Sequence, residues 1–132
     1  MNKSLDDYIK RAYENAKNKG FHLDDDEMRN KLKWGSVDHN HFSKLAMIKD
    51  LALIVTEISE AIEAIREGRT ADFDFNTDII ITNWKETFEE EIADVFIRLF
   101  DFCGNYGIDI ERFINLKMDY NESREYKHGK SL

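Results

Sequence analysis

Two acidic pairs stand out in the sequence for the chemistry that their spacing permits. Glu57 and Glu60 stand three residues apart, and so do Glu91 and Asp94. On a helix that step puts two side chains on one face, a single turn apart. Two such helices side by side would aim four carboxylates at one point between them. Hard divalent cations take oxygen ligands, and Mg²⁺ keeps open positions for water and for phosphate oxygens. Neither pair contains the Glu-x-x-His step of di-iron carboxylate bundles, so hydrolysis aided by Mg²⁺ or Mn²⁺ is favoured over redox chemistry. The competing reading is plain: the chain has 27 acidic residues, and acidic pairs on helices are commonly solvated faces balanced by Lys and Arg.

The stretch that must position the first pair tips the balance. Leu45 to Arg66, LAMIKDLALIVTEISEAIEAIR, has neither Gly nor Pro. At 100° per residue, Leu51, Ile54, Val55, Ile58, Ile62 and Ile65 form one apolar stripe. Glu57 and Glu60 lie off that stripe but share their side with Leu53, Ala61 and Ala64. A helix apolar on two sides needs more cover than a monomer of few helices provides, which predicts an oligomer. A carboxylate buried without a partner costs several kcal/mol or takes up a proton. A positive group is therefore expected beside it.

The remaining elements read as helices. Ser4 ahead of Asp6 and Asp7 caps a helix running to about Lys19, stopped by Gly20. Asp24, Asp25 and Asp26 lead a short helix from Glu27 to Trp34, and SVDHNH, with His39 and His41, reads as a polar turn. The long helix spans about Phe42 to Glu67. After it, RTADFDFNTDIIIT has strand-like residues without an obvious partner and reads as a connection packed on the bundle. Asn83 with Glu86 makes a cap-like start for a helix to about Asn105, where Phe88, Ile92, Val95, Phe96, Leu99 and Phe100 form the apolar face. Asp109 caps a last helix with Phe113, Leu116 and Tyr120 facing the core. Total absence of Pro, few Gly and several long helices indicate one all-α domain over residues 1–132, an antiparallel bundle of four to five helices completed by oligomerisation.

Composition excludes several classes. A formal net charge of −8 argues against binding a DNA or RNA polymer along its phosphates. A polyphosphate remains compatible with it if metal ions intervene. The single Cys103 excludes an internal disulfide and a cysteine zinc cluster, and reads as small core filler. The opening MNKSLDDYIKRAYENAKNKG is charged, and no apolar run approaches the roughly 20 residues that span a bilayer. The expectation is a soluble cytoplasmic protein without a membrane partner.

The segments EISEAIEAIREG (Glu57 to Gly68) and EEEIADVFIRLFD (Glu89 to Asp101) resemble the paired ExxE and ExxD motifs of MazG-like, all-α nucleoside triphosphate pyrophosphohydrolases. The ending KMDYNESREYKHGK (Lys117 to Lys130) resembles the tail of some small members. The resemblance covers the chain from Leu45 onward. It implies a homodimer or homotetramer and Mg²⁺-dependent cleavage of a nucleoside triphosphate between its α and β phosphates, giving the monophosphate and pyrophosphate. Carried over by position, Glu57, Glu60, Glu91 and Asp94 are the metal ligands and catalytic carboxylates, and Lys117 and Asn121 are phosphate contacts. The interval Ala61 to Glu90, 30 residues, is longer than the family's usual spacing.

Beside the resemblance, Glu60 is the expected contact for the attacking water. Lys117 and Asn121, an i, i+4 pair, can face one site. Arg124 and Lys127 continue near that line toward a leaving pyrophosphate, and His128 is a further candidate beside them. For the base, His22 and Trp34, with Phe21 and Trp84, are candidate stacking residues. Two alternatives stay open: a related enzyme acting on another pyrophosphate-bearing substrate such as phosphoribosyl-ATP, and a non-catalytic helical oligomerisation or partner-binding module.

Overall fold

Helices here begin where a short polar side chain can take the first free backbone N–H groups. The computed structural model describes residues 2–73 and 81–125 and is all-α, with five helices. Helix α1 (Leu5–Asn18) opens on a capping box. The Ser4 hydroxyl accepts from the Asp7 N–H, and the Asp7 carboxylate accepts from the Ser4 N–H at 2.8 Å. Those bonds hold the Asp7 carboxyl below its usual range. Gly20, at φ +80°, turns the chain into α2 (Leu23–Lys31). This helix starts earlier than expected because Asp24, Asp25 and Asp26 occupy its first turn, where negative charge favours the helix dipole.

Helix α3 (Val37–Arg66) also starts early. The Ser36 hydroxyl accepts from the His39 N–H at 3.1 Å, so SVDHNH is a cap and a first helical turn and not a polar loop. Helix α4 (Phe88–Tyr106) starts late, at Thr87, whose hydroxyl accepts from the Glu90 N–H. The expected cap at Asn83 fails because Asn83 and Glu86 both take positive φ, +53° and +61°. Helix α5 (Ile110–Ser123) is capped by Asp109 as expected. Between α3 and α4, β1 (Asp72–Phe73) pairs antiparallel with β2 (Ile81–Thr82), Asp72 opposite Thr82. The end of the DIIIT run therefore has a strand partner after all; residues 74–80 lie outside the described residues.

Helices α3 and α4 run antiparallel, tied by Arg98 to Glu57 and by Tyr106 to Asp50. Helix α1 packs along α4, and α2 touches α3. The α1–α4 approach is close at Gly104, where an added Cβ would lie 2.7 Å from the Tyr13 Cβ. The buried line of α3 is Ala46, Ile54, Glu57, Ala61 and Ala64. Of the two apolar sides, the stripe of larger residues points outward, apart from Ile54. Leu51, Val55, Ile58, Ile62 and Ile65 are 43–59 % exposed. Small residues on the other side let α3 approach α4 closely, and the bulkier stripe is left over. Helix α5 likewise buries no residue, so Phe113, Leu116 and Tyr120 do not face a core within this chain. Cys103 is buried filler, its thiol pushed up by burial. No helix among the described residues is long and apolar enough to cross a membrane.

Candidate metal centre

The α3 line that meets α4 carries Glu57, and burial leaves that carboxylate 8 % exposed. The positive group expected beside it is Arg98, one α4 turn beyond Asp94. Its Nε donates to Glu57 Oε1 at 2.5 Å. Glu60 follows one turn along α3 and is exposed. Glu91 comes from the first turn of α4, where the helix N-terminus favours negative charge. One carboxylate oxygen from each of Glu57, Glu60 and Glu91 lies within 4.8 Å of the other two. Neighbouring oxygens on one octahedral Mg²⁺ stand about 3 Å apart and only opposed ones about 4.2 Å, so the three side chains must draw together to share one hard divalent cation.

The neighbouring acids Glu89 and Glu90 are engaged near the start of α4. Glu89 accepts from the Thr70 hydroxyl at 2.6 Å and the Ala71 N–H at 3.1 Å, which ties the β1 approach to the start of α4. Glu90 accepts from Lys85 and from the Glu86 N–H, and these hold its carboxyl below the usual range. Glu91 is pushed up instead, first by burial and then by the charge of Glu60, with a Glu60 hydrogen bond and the charges of Asp94 and Glu57 adding to it. Burial and Glu90 also push Asp94 up, against the pull of Arg98 and Lys85. Asp94 thus borders the cluster electrostatically but is not one of the three converging donors.

A cleft of about 330 Å³ adjoins the cluster, lined from α1, α3, α4 and the α1–α2 turn. Glu57 belongs to both cluster and cleft, and Asp94 and Arg98 line the cleft beside it. Further along, His22 Nε2 and Asp101 Oδ1 are 2.7 Å apart, with the Tyr13 ring tilted against the imidazole. Burial pushes Asp101 up, while the His22 hydrogen bond and charge pull it down. The Tyr106 hydroxyl donates to Asp50 Oδ2 at 2.7 Å; burial and that bond hold it well above the usual phenol range. Lys49 reaches Asp25 at 2.6 Å. Asn15 and Asn105 also line the cleft, and neither carboxamide has a hydrogen-bond partner among the described residues.

Of the residues singled out in the sequence, Glu57, Glu60 and Glu91 come together, and His22 enters the adjoining cleft, already paired. Trp34 does not line the cleft. It is 86 % exposed at the α2–α3 corner, its ring 6.3 Å from that of His39. Phe21 lines the cleft, while Trp84 stands outside it with Lys85 over its ring. Lys117, Asn121 and Arg124 lie on or just after α5 and do not line the cleft either. Lys117 and Arg124 instead approach the Tyr120 ring. Lys127 and His128 lie outside the described residues. Sequence reasoning missed Arg98, Asp101 and Asn105. Their signal was present: Asp94, Arg98, Asp101 and Asn105 step by four, three and four along an otherwise apolar helix, which is a polar line on one face.

Among known proteins, no family model, no curated protein and no solved structure matches this chain.

Proposed function

We propose that this protein is a divalent-metal-dependent nucleotide pyrophosphohydrolase that converts a nucleoside triphosphate to its monophosphate and pyrophosphate. The observation that carries the reading is the convergence of Glu57, Glu60 and Glu91 beside a cleft that Glu57 lines. In this reading those three hold Mg²⁺, or Mn²⁺ in its place, and Asp94 adds negative charge at the border. A bound divalent cation supplies charge neutralisation to phosphate oxygens and acidity to a water.

The chain's own residues do the rest. Glu60, the exposed member, orients a water and accepts its proton as the oxygen attacks phosphorus. Arg98 holds Glu57 in the resting protein and, lining the cleft, offers a guanidinium to phosphate oxygens once Glu57 has another counter-ion. The outward stripe of α3 and the bare apolar face of α5 support a homodimer or homotetramer. In such an assembly Lys117, Asn121, Arg124 and Lys127 of a second copy become available as phosphate contacts. The substrate class places its work in the cytoplasmic nucleotide pool, and the acidic net charge disfavours nucleic acid polymers as substrates.

The test is pyrophosphate release from a panel of ribo- and deoxyribonucleoside triphosphates with Mg²⁺, with Mn²⁺ and with chelator. Metal-dependent release that is lost in Glu60→Gln is the expected result. Orthophosphate as the product, or release unaffected by chelator, would overturn the proposal.

A further inference from the structure

The polar line of α4 continues well past the acidic cluster. At 1.5 Å per residue, Asp94 and Asn105 lie about 16 Å apart along the helix axis, and both line the same cleft. Away from Arg98 the lining changes character and becomes rich in hydrogen-bond acceptors. Asp50 gives Oδ2 to the Tyr106 hydroxyl, and Asp101 gives Oδ1 to His22. The second oxygen of Asp101 has no hydrogen-bond partner among the described residues, and that of Asp50 is in a long ion pair with Lys49 at 3.9 Å. An ionised carboxylate only accepts, whereas a carboxamide both donates and accepts. The unpartnered amides of Asn15 and Asn105 provide the second kind of edge. Ala12, Ala16, Leu53 and Phe102 supply apolar wall between these polar groups.

An apolar slot edged by acceptors and free amides suits a flat heteroaromatic ring with donor groups on its rim. Adenine, cytosine and guanine carry an exocyclic amino group. Uracil and thymine place carbonyl oxygens there, which a carboxylate repels. We propose that this cleft seats the nucleobase and selects amino-bearing bases over uracil and thymine. The proposal rests on the nucleotide reading above and names the substrate class within it.

The probes are α,β-methylene analogues of ATP, CTP and UTP, in which carbon replaces the bridging oxygen that cleavage would break. Each is titrated with Mg²⁺ into the full chain, and the side-chain amide signals of Asn15 and Asn105 are followed by NMR. The ATP and CTP analogues are expected to bind at least about tenfold more tightly than the UTP analogue and to shift both amide signals. Asp101→Asn, which replaces an acceptor by a donor, should narrow that ratio. Asn105→Asp, which adds an acceptor and leaves the His22 contact intact, should widen it. Equal or tighter binding of the UTP analogue, or shifts confined to Trp34 and Trp84, overturns the base-site proposal while leaving the hydrolase reading standing. Mg²⁺ binding without binding of any analogue overturns both.

Discussion

Replacing Arg98 by Met tests whether the centre is held, in the absence of metal, by one cation placed against a buried acid. Glu57 is almost fully buried, and its only ion-pair partner among the described residues is Arg98 at 2.5 Å. Removing one member of such a pair leaves the other charge without compensation, and a hydrogen bond to a charged group contributes about 1.5–3 kcal/mol. The Arg98 side chain is 47 % exposed, so solvent screens the pair and a loss of about 2 kcal/mol is expected. For 132 residues the unfolding entropy near the midpoint is roughly 0.28 kcal/mol/K. The loss therefore corresponds to a melting temperature about 7 °C lower. The assay is thermal unfolding in chelator at fixed protein concentration, compared with saturating Mg²⁺. Added Mg²⁺ should stabilise Arg98→Met more than the parent, because it replaces the lost charge. The double variant Glu57→Gln with Arg98→Met should be no less stable in chelator than Arg98→Met alone, since the stranded charge is gone. An Arg98→Met midpoint within about 2 °C of the parent, or simple additivity in the double variant, would refute the reasoning.

Three further outcomes follow from the same geometry. Glu91 has a folded-state pKa raised above its ordinary value, so the stability tied to it is full below that ordinary value and is lost as pH rises through the raised one. Glu91→Gln should accordingly raise the melting temperature in chelator at neutral pH while removing the stabilisation by Mg²⁺, and in the parent that stabilisation should fade as pH drops through the raised value. Gly104→Ala should destabilise by about 1–3 kcal/mol by denaturant unfolding, because its Cβ meets the Tyr13 Cβ at 2.7 Å and neither atom can rotate away. Ending the chain before Lys117 should change the unfolding midpoint by only a few degrees, since α5 buries no residue, yet abolish pyrophosphate release; unchanged turnover would remove the tail from the site.

The capping residues explain which boundaries were legible. Ser4 with Asp7, Gly20 and Asp109 state their helix ends in local chemistry, and the structure places those ends there. Ser36 and Thr87 carry the same signal, but the polar histidines after Ser36 also suit a turn, and Asn83 with Glu86 before Thr87 offers a competing cap pattern. The need for a cation beside Glu57 followed from burial physics alone. Its identity did not, because Arg98 is 41 positions away and only the antiparallel pairing of α3 with α4 brings it there. Periodicity likewise found two apolar sides on α3 without saying which one faces inward. The side lined with alanine won because small residues allow the closer approach, and the stripe of Leu51, Val55, Ile58, Ile62 and Ile65 stayed outside. Arg98, Asp101 and Asn105 were hidden for a related reason: on an amphipathic helix they look like ordinary solvent-facing residues until the cleft beside α1 is known.

The most direct test of the centre is paramagnetic broadening by Mn²⁺. Substoichiometric Mn²⁺ is added to the isotopically labelled full chain, and amide signals are mapped by NMR. Broadening is expected to begin at residues around Glu57 to Ala61 on α3 and Glu91 to Val95 on α4, and excess Mg²⁺ is expected to compete it away. Broadening that starts elsewhere, for example at Asp24 to Asp26, with the α3 and α4 signals unaffected, would contradict the assignment of this centre.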